Sequence, residues 1–151
     1  MTATITITNP ILSGMNPDPS WIWDDEFQRI VLVTSTFELV PGLPIYVSED
    51  MTCWKHVSNV IDADLARRLL IPFVDDSGGV YAPTLRRIHG KYVIACTIAR
   101  LDDRRAMEGG CTESELMRFH AAGGNFILEA DSIEGPWRGP FWIEGAEGID
   151  P

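Results

Sequence analysis

Bases, cysteine and long apolar runs are all scarce in this chain, and each scarcity removes a class of function. Lysine and arginine number 12 against 22 aspartates and glutamates, giving a formal charge of -10 and a pI near 4.6. A field of that sign repels phosphate backbones and anionic bilayers, so neither nucleic acid nor membrane is an expected partner, whereas a neutral polar ligand meets no such barrier. Only three cysteines are present, Cys53, Cys96 and Cys111, with no CxxC pair, and His56, His89 and His120 do not stand at ligand spacing from them. They read as ordinary thiols, and neither metal nor cofactor is expected. No apolar run approaches the ~20 residues that span a bilayer. The first ten residues, MTATITITNP, lack the basic, apolar and small-residue succession of a secretory leader, which leans the expected location towards the cytoplasm.

What is present is a period of two. With 151 residues and 45% hydrophobic content the chain can bury a sizeable core. Alternating or β-branched runs predict strands at Thr4–Thr8, Ile30–Thr36 (IVLVTST), Ile45–Val47 (IYV) and Tyr92–Ile98 (YVIACTI). Turn signals separate them: WDDEF around Asp24 and Asp25, DDSGG at Asp75–Gly79, HG at His89 and Gly90, and EGPW at Glu134–Trp137. Gly90 can take the positive φ of a tight turn, so RRIHGKYV reads as a short hairpin. Helical signal is confined to DADLARRLL and TESELMRFHAA, where Thr112 and Glu115 form a capping box. The second helix is expected in a long loop rather than in the core.

A weak repeat organises these strands. PIYVSEDMTCWK (Pro44–Lys55) and NFILEADSIEGPWR (Asn125–Arg138) each run from an apolar strand through an acidic turn to Trp and then a base. Each follows another strand, RIVLVTSTF in one copy and KYVIACTIA in the other. Successive four-stranded units with a shared ending suggest β-propeller blades, at about 40–45 residues apiece. The chain then holds about two to three blades, fewer than the four a ring needs to close. The fold class is therefore all-β, with residues 1–151 a partial propeller domain, part of a larger ring. The segment TATITIT is expected to pair with a strand from the rest of that ring.

One carboxylate has an unusual setting. In SGMNPDPSWIW, Asp18 stands between Pro17 and Pro19. Proline restricts itself and the residue before it, so Asp18 is expected to be extended on both sides, with its carboxylate aimed. Taken locally, an Asp that bonds its own backbone in a turn fits the same residues.

The ordered motifs NPILSGMNPDPS, TSTFELVPGLPIYVSEDMTCW, GGVYAPTLRRIHGKYVIAC, GNFILEADSIEGPW and GIDP, from Asn9 to Pro151, resemble glycoside hydrolase family 43, the β-xylosidase and α-L-arabinofuranosidase family. The resemblance implies a five-bladed propeller with a sugar site in its central funnel. It also implies inverting hydrolysis by an Asp base, a second Asp that tunes pKa and orients substrate, and a Glu acid. Carried over by motif, Asp18 matches the general base and Asp150, in GIDP, the pKa-modulating Asp. Phe37 matches an aromatic of the funnel, and Tyr81 stands where relatives usually carry Trp, which leaves subsite preference open. Asn125 either approaches the site through its amide or caps a loop, and Pro83 and Thr84 shape a loop. The family's acid Glu lies beyond GIDP, and none of Glu113, Glu115, Glu129, Glu134, Glu144 or Glu147 has the right place in the order. The implied partners are a xylo-oligosaccharide or arabinose-containing saccharide and the missing blades, and the isolated chain is expected to be inactive or very weak. The alternative is a non-catalytic sugar-binding or scaffold remnant of the same fold.

Overall fold

A computed structural model describes residues 4–151, and two four-stranded antiparallel sheets follow one another along them. The first holds β1 (Ser20–Asp24), β2 (Arg29–Val33), β3 (Gly42–Ser48) and β4 (Lys55–Ile61). The second holds β5 (Val74–Ile88), β6 (Lys91–Leu101), β7 (Asn125–Ala130) and β8 (Arg138–Trp142). In both, the spatial order equals the chain order. The sequence repeat falls on equivalent places: Lys55, after Trp54, opens the fourth strand of one sheet, and Arg138, after Trp137, opens that of the other. Two blades are present, the lower end of the expected number.

The alternation of side chains decides how the sheets meet. Cross-strand partners share a face, so Leu85, Ile94 and Leu128 form one row and Arg87, Tyr92 and Ala130 the next. In the first sheet Ile22, Val31 and Val47 form a row. These rows pack into one apolar core shared by both sheets. The opposite faces are partly covered: Trp21 (59% exposed) and Trp23 lie on one, beside their buried partners Leu32 and Ile30, and the exposed Ile88 and Phe141 lie on the other. Polar ties also cross the seam, from the Leu85 amide to Ser20 Oγ (3.0 Å) and from Ser58 Oγ to the Ile133 carbonyl (2.6 Å).

A further tie is ionic. Asp24, at the end of β1, has a fully buried carboxylate that accepts from Arg87 Nη1 at 2.7 Å and from the Tyr92 hydroxyl, with Arg29 Nε at 3.8 Å. Burial, followed by the hydrogen bond to Asp24, pushes the Tyr92 hydroxyl up to about 12 from its ordinary 10. A pKa raised on folding leaves stability intact below pH 10 and removes it as pH rises through about 12, because the unfolded chain ionises first. The loss is on the order of 2–3 kcal/mol. In urea titrations the stability gap between wild type and Tyr92→Phe is therefore expected to narrow between pH 9 and 12. Parallel pH profiles would contradict the assignment.

Local signals explain most elements. The HG turn joins β5 to β6 with His89 at φ 49° and Gly90 at φ 81°, the two positive values that match strand twist in a two-residue hairpin. Helix α1 (Ala63–Arg68) starts where the Asp62 side chain accepts from the Leu65 amide. Helices α2 (Asp103–Glu108) and α3 (Glu113–Ala121) lie between β6 and β7, and the capping box of Thr112 and Glu115 forms in both directions. The helix expected outside the core does occupy that loop, yet its Leu116 and Phe119 join the core cluster. DDSGG is not a turn between strands. It is an irregular stretch inside β5, where the register jumps from Val74↔Leu101 to Gly79↔Ala99. The expected strand at Thr4–Thr8 is also corrected: these residues are exposed and unpaired, since no neighbouring strand offers them a ladder among the described residues. Thr2 and Ala3 of that segment lie outside the described residues.

Candidate active site

Asp18 sits two residues before β1 and is gripped from β2's continuation. Ser35 Oγ donates to Asp18 Oδ2 at 2.6 Å, and the Ser35 amide donates to the Pro17 carbonyl at 3.0 Å. Ser35 is wholly buried while Asp18 is exposed, so a rigid donor holds a solvent-facing carboxylate by one oxygen. The expected extended backbone is corrected, because Asp18 has φ 49°. Aspartate is among the few residues that tolerate the left-handed region, and the two Ser35 contacts outweigh the local proline preference.

Phe37 follows in the same loop at φ 51°. Its backbone exchanges two hydrogen bonds with Val80 of β5, 3.1 and 2.9 Å, which links the two sheets at the mouth of the seam. Gly79 makes that approach possible: it has φ 92°, and a Cβ there would collide with the Phe37 carbonyl. The pairing sets the Phe37 ring edge-on to Tyr81, with centroids 5.5 Å apart and planes at 86°. The Tyr81 hydroxyl donates to the Ser77 carbonyl at 2.9 Å.

Asp150, exposed and at φ 63°, is fixed through its neighbours. On one side the Gly148 carbonyl accepts from Asn125 Nδ2 at 3.0 Å, and on the other the Pro151 carbonyl accepts from Thr84 Oγ1. Asn125 is buried, receives Thr97 Oγ1 at 2.6 Å and also donates to the Ala122 carbonyl. Its amide is thus occupied within the chain, as a loop cap is. Asp18 and Asp150 come near one common group. Burial pushes the Cys96 thiol far up, and the charges of Asp150 and Asp18 push it further. The Cys96 thiol donates instead to the Tyr81 carbonyl at 2.6 Å.

Left-handed backbone at Asp18, Phe37 and Asp150 costs of order 1–3 kcal/mol each and survives only where surrounding contacts over-determine it. Here those contacts are Ser35, Val80, Asn125 and Thr84. Ser35 is the residue that motif reading passed over. Its signal was the hydroxyl trio Thr34, Ser35 and Thr36, all buried at the end of an apolar strand where outward-facing polar residues are the norm. Among the described residues, no three side chains of His, Cys, Asp or Glu converge as a metal site would require.

The chain is 39% identical over 145 residues to a putative beta-xylosidase of Escherichia coli, covering 96% of this chain and 24% of that protein. It is 36% identical over 148 residues to the non-reducing end alpha-L-arabinofuranosidase BoGH43B of Bacteroides ovatus, covering 97% and 23%. The crystal structure of the GH43 BlXynB protein from Bacillus licheniformis superposes with a TM-score of 0.71 at 29% identity, over 96% of this chain and 26% of that one. The chain therefore spans about a quarter of the length of the curated relatives it matches, and its two sheets are a portion of a propeller. The model of Glycosyl hydrolases family 43 matches residues 7–151, and the chain belongs to that family.

Proposed function

We propose that residues 1–151 supply the base side of an inverting xylosidase or arabinofuranosidase site, with the acid Glu supplied by blades outside these residues. One observation carries this reading: an exposed Asp18 carboxylate, anchored through Oδ2 by a buried serine, keeps Oδ1 without a protein donor among the described residues. Such an oxygen can hold a water and take its proton as the water attacks the anomeric carbon. Inversion requires the acid on the opposite face, about 6.5–9.5 Å from the base. A second carboxylate near that acid raises its pKa, which is the role assigned to Asp150. The perpendicular rings of Phe37 and Tyr81 offer apolar surface for the face of a pyranose or furanose, and Asn125 and Thr84 hold Asp150 in place. The substrate class is a xylo-oligosaccharide or an arabinose-containing saccharide.

Thermal melting of the chain, followed through its five tryptophans, tests the sugar subsite. A ligand that binds only the folded state must raise the midpoint, by about 2–4 °C for each kcal/mol of linkage. Xylose or arabinose in large excess is expected to do so, and Phe37→Ala to remove the shift. A midpoint that ignores both sugars would overturn the reading.

A further inference from the structure

Beside Asp150 lies a groove of about 570 Å³ that the catalytic assignments leave unused. It is lined by the end of β6, by Phe119 and His120 of α3 and by Tyr81 and Ile149, so it adjoins the candidate sugar site at Tyr81 and at the neighbour of Asp150. Arg100 is among the residues that line it. This arginine is exposed, has φ 61°, and makes no ion pair or hydrogen bond among the described residues. Four residues of β5, Asp75–Gly78, loop out opposite it, with neither Asp75 nor Asp76 in an ion pair with Arg100, and a Cβ on Gly78 would stand only 3.1 Å from Arg100 Cβ. The same excursion receives the Tyr81 hydroxyl at Ser77. The groove wall and the arginine are therefore fixed by one irregular segment. His120, the other group able to carry positive charge, is engaged by Asp103 at 2.9 Å.

Arg67 and Arg118 likewise lack a side-chain partner among the described residues, but Arg100 alone of the three stands on left-handed backbone, at the groove that adjoins the candidate site. We propose that the groove holds the saccharide portion beyond the sugar at Phe37 and that Arg100 is a specificity-determining residue for a carboxylate-bearing substituent, a uronic acid. The inference rests on the sugar-site reading above. Guanidinium matches a planar carboxylate with two parallel hydrogen bonds, and Tyr81 and the exposed Ile149 give the ring of such a sugar apolar surface. A phosphoryl group, with its higher charge, would meet the field of Asp18 and Asp150 more strongly.

The test is titration of the 151-residue chain, read by tryptophan fluorescence, with xylotriose and with xylotriose carrying a glucuronic acid branch. The acidic sugar is expected to bind about tenfold tighter, the size of one charge-assisted hydrogen bond in a partly exposed groove, and the preference should shrink with added salt. Arg100→Gly suits the left-handed backbone and so preserves folding, and it should erase the preference, whereas Arg100→Lys should retain part of it. Equal affinities in the wild type, or a preference that survives Arg100→Gly, would overturn the inference and leave the sugar site intact. Binding of neither sugar would remove the sugar-site reading and this inference with it.

Discussion

Asp24→Ala is expected to lower the unfolding free energy by about 3–5 kcal/mol, the cost typical of removing one partner from a buried ion pair. The carboxylate is fully buried and serves Arg87, Tyr92 and Arg29 together. Without it Arg29 loses its ion-pair partner and Arg87 keeps only the exposed Glu26, while the Nε atoms of both already lack hydrogen-bond partners. The damage falls on the seam between the sheets, because Asp24 belongs to β1 while Arg87 and Tyr92 belong to β5 and β6. Urea unfolding monitored by tryptophan fluorescence gives the value directly. A change below about 1 kcal/mol, the range of exposed pairs, would show that solvent reaches the cluster. The exposed pair of Arg104 and Glu108 on α2 is the internal contrast, and its removal should change little.

The second large effect concerns Asp18. In a ring completed by replacing the matching quarter of the Bacteroides ovatus relative with this chain, Asp18→Asn is expected to lower kcat by about 10²–10⁴. KM should move little, because the amide keeps the shape of the carboxylate and loses only its capacity to take a proton. Ser35→Ala should act in the same direction with a smaller loss, since it frees Asp18 to rotate without removing the base. Near-UV circular dichroism of each variant separates a folding defect from a chemical one. An unchanged kcat in Asp18→Asn would assign the base to another residue.

Much of this architecture was legible because local and tertiary demands agree. The HG turn, the Thr112 and Glu115 capping box and the Trp-then-base ending of each sheet are short-range devices, and all three stand where the sequence placed them. Other features were hidden by conflicts between levels. Strand β8 (RGPFW) contains Gly139 and Pro140, which read as breakers, but it is the outer strand of its sheet, where a missing amide donor leaves no gap in the ladder. DDSGG carries every mark of a turn and is instead absorbed as an irregularity within β5. Asp18 shows the conflict most clearly. Two prolines argue for extended backbone, while a serine 17 residues away holds it left-handed. The candidate site was legible as motifs, but its supports, Ser35, Gly79 and Thr84, are long-range contacts that no local pattern encodes.

The central claim is that these residues carry the base of a glycosidase site and lack its proton donor. Its most direct measurement is the release of sugar from an unactivated arabinofuranosyl or xylosyl disaccharide by the 151-residue chain alone, side by side with the completed ring. The account predicts no release by the chain, release by the ring, and loss of the ring's activity in Asp18→Asn. Hydrolysis by the chain alone at the ring's rate would contradict it, because the acid would then lie within residues 1–151.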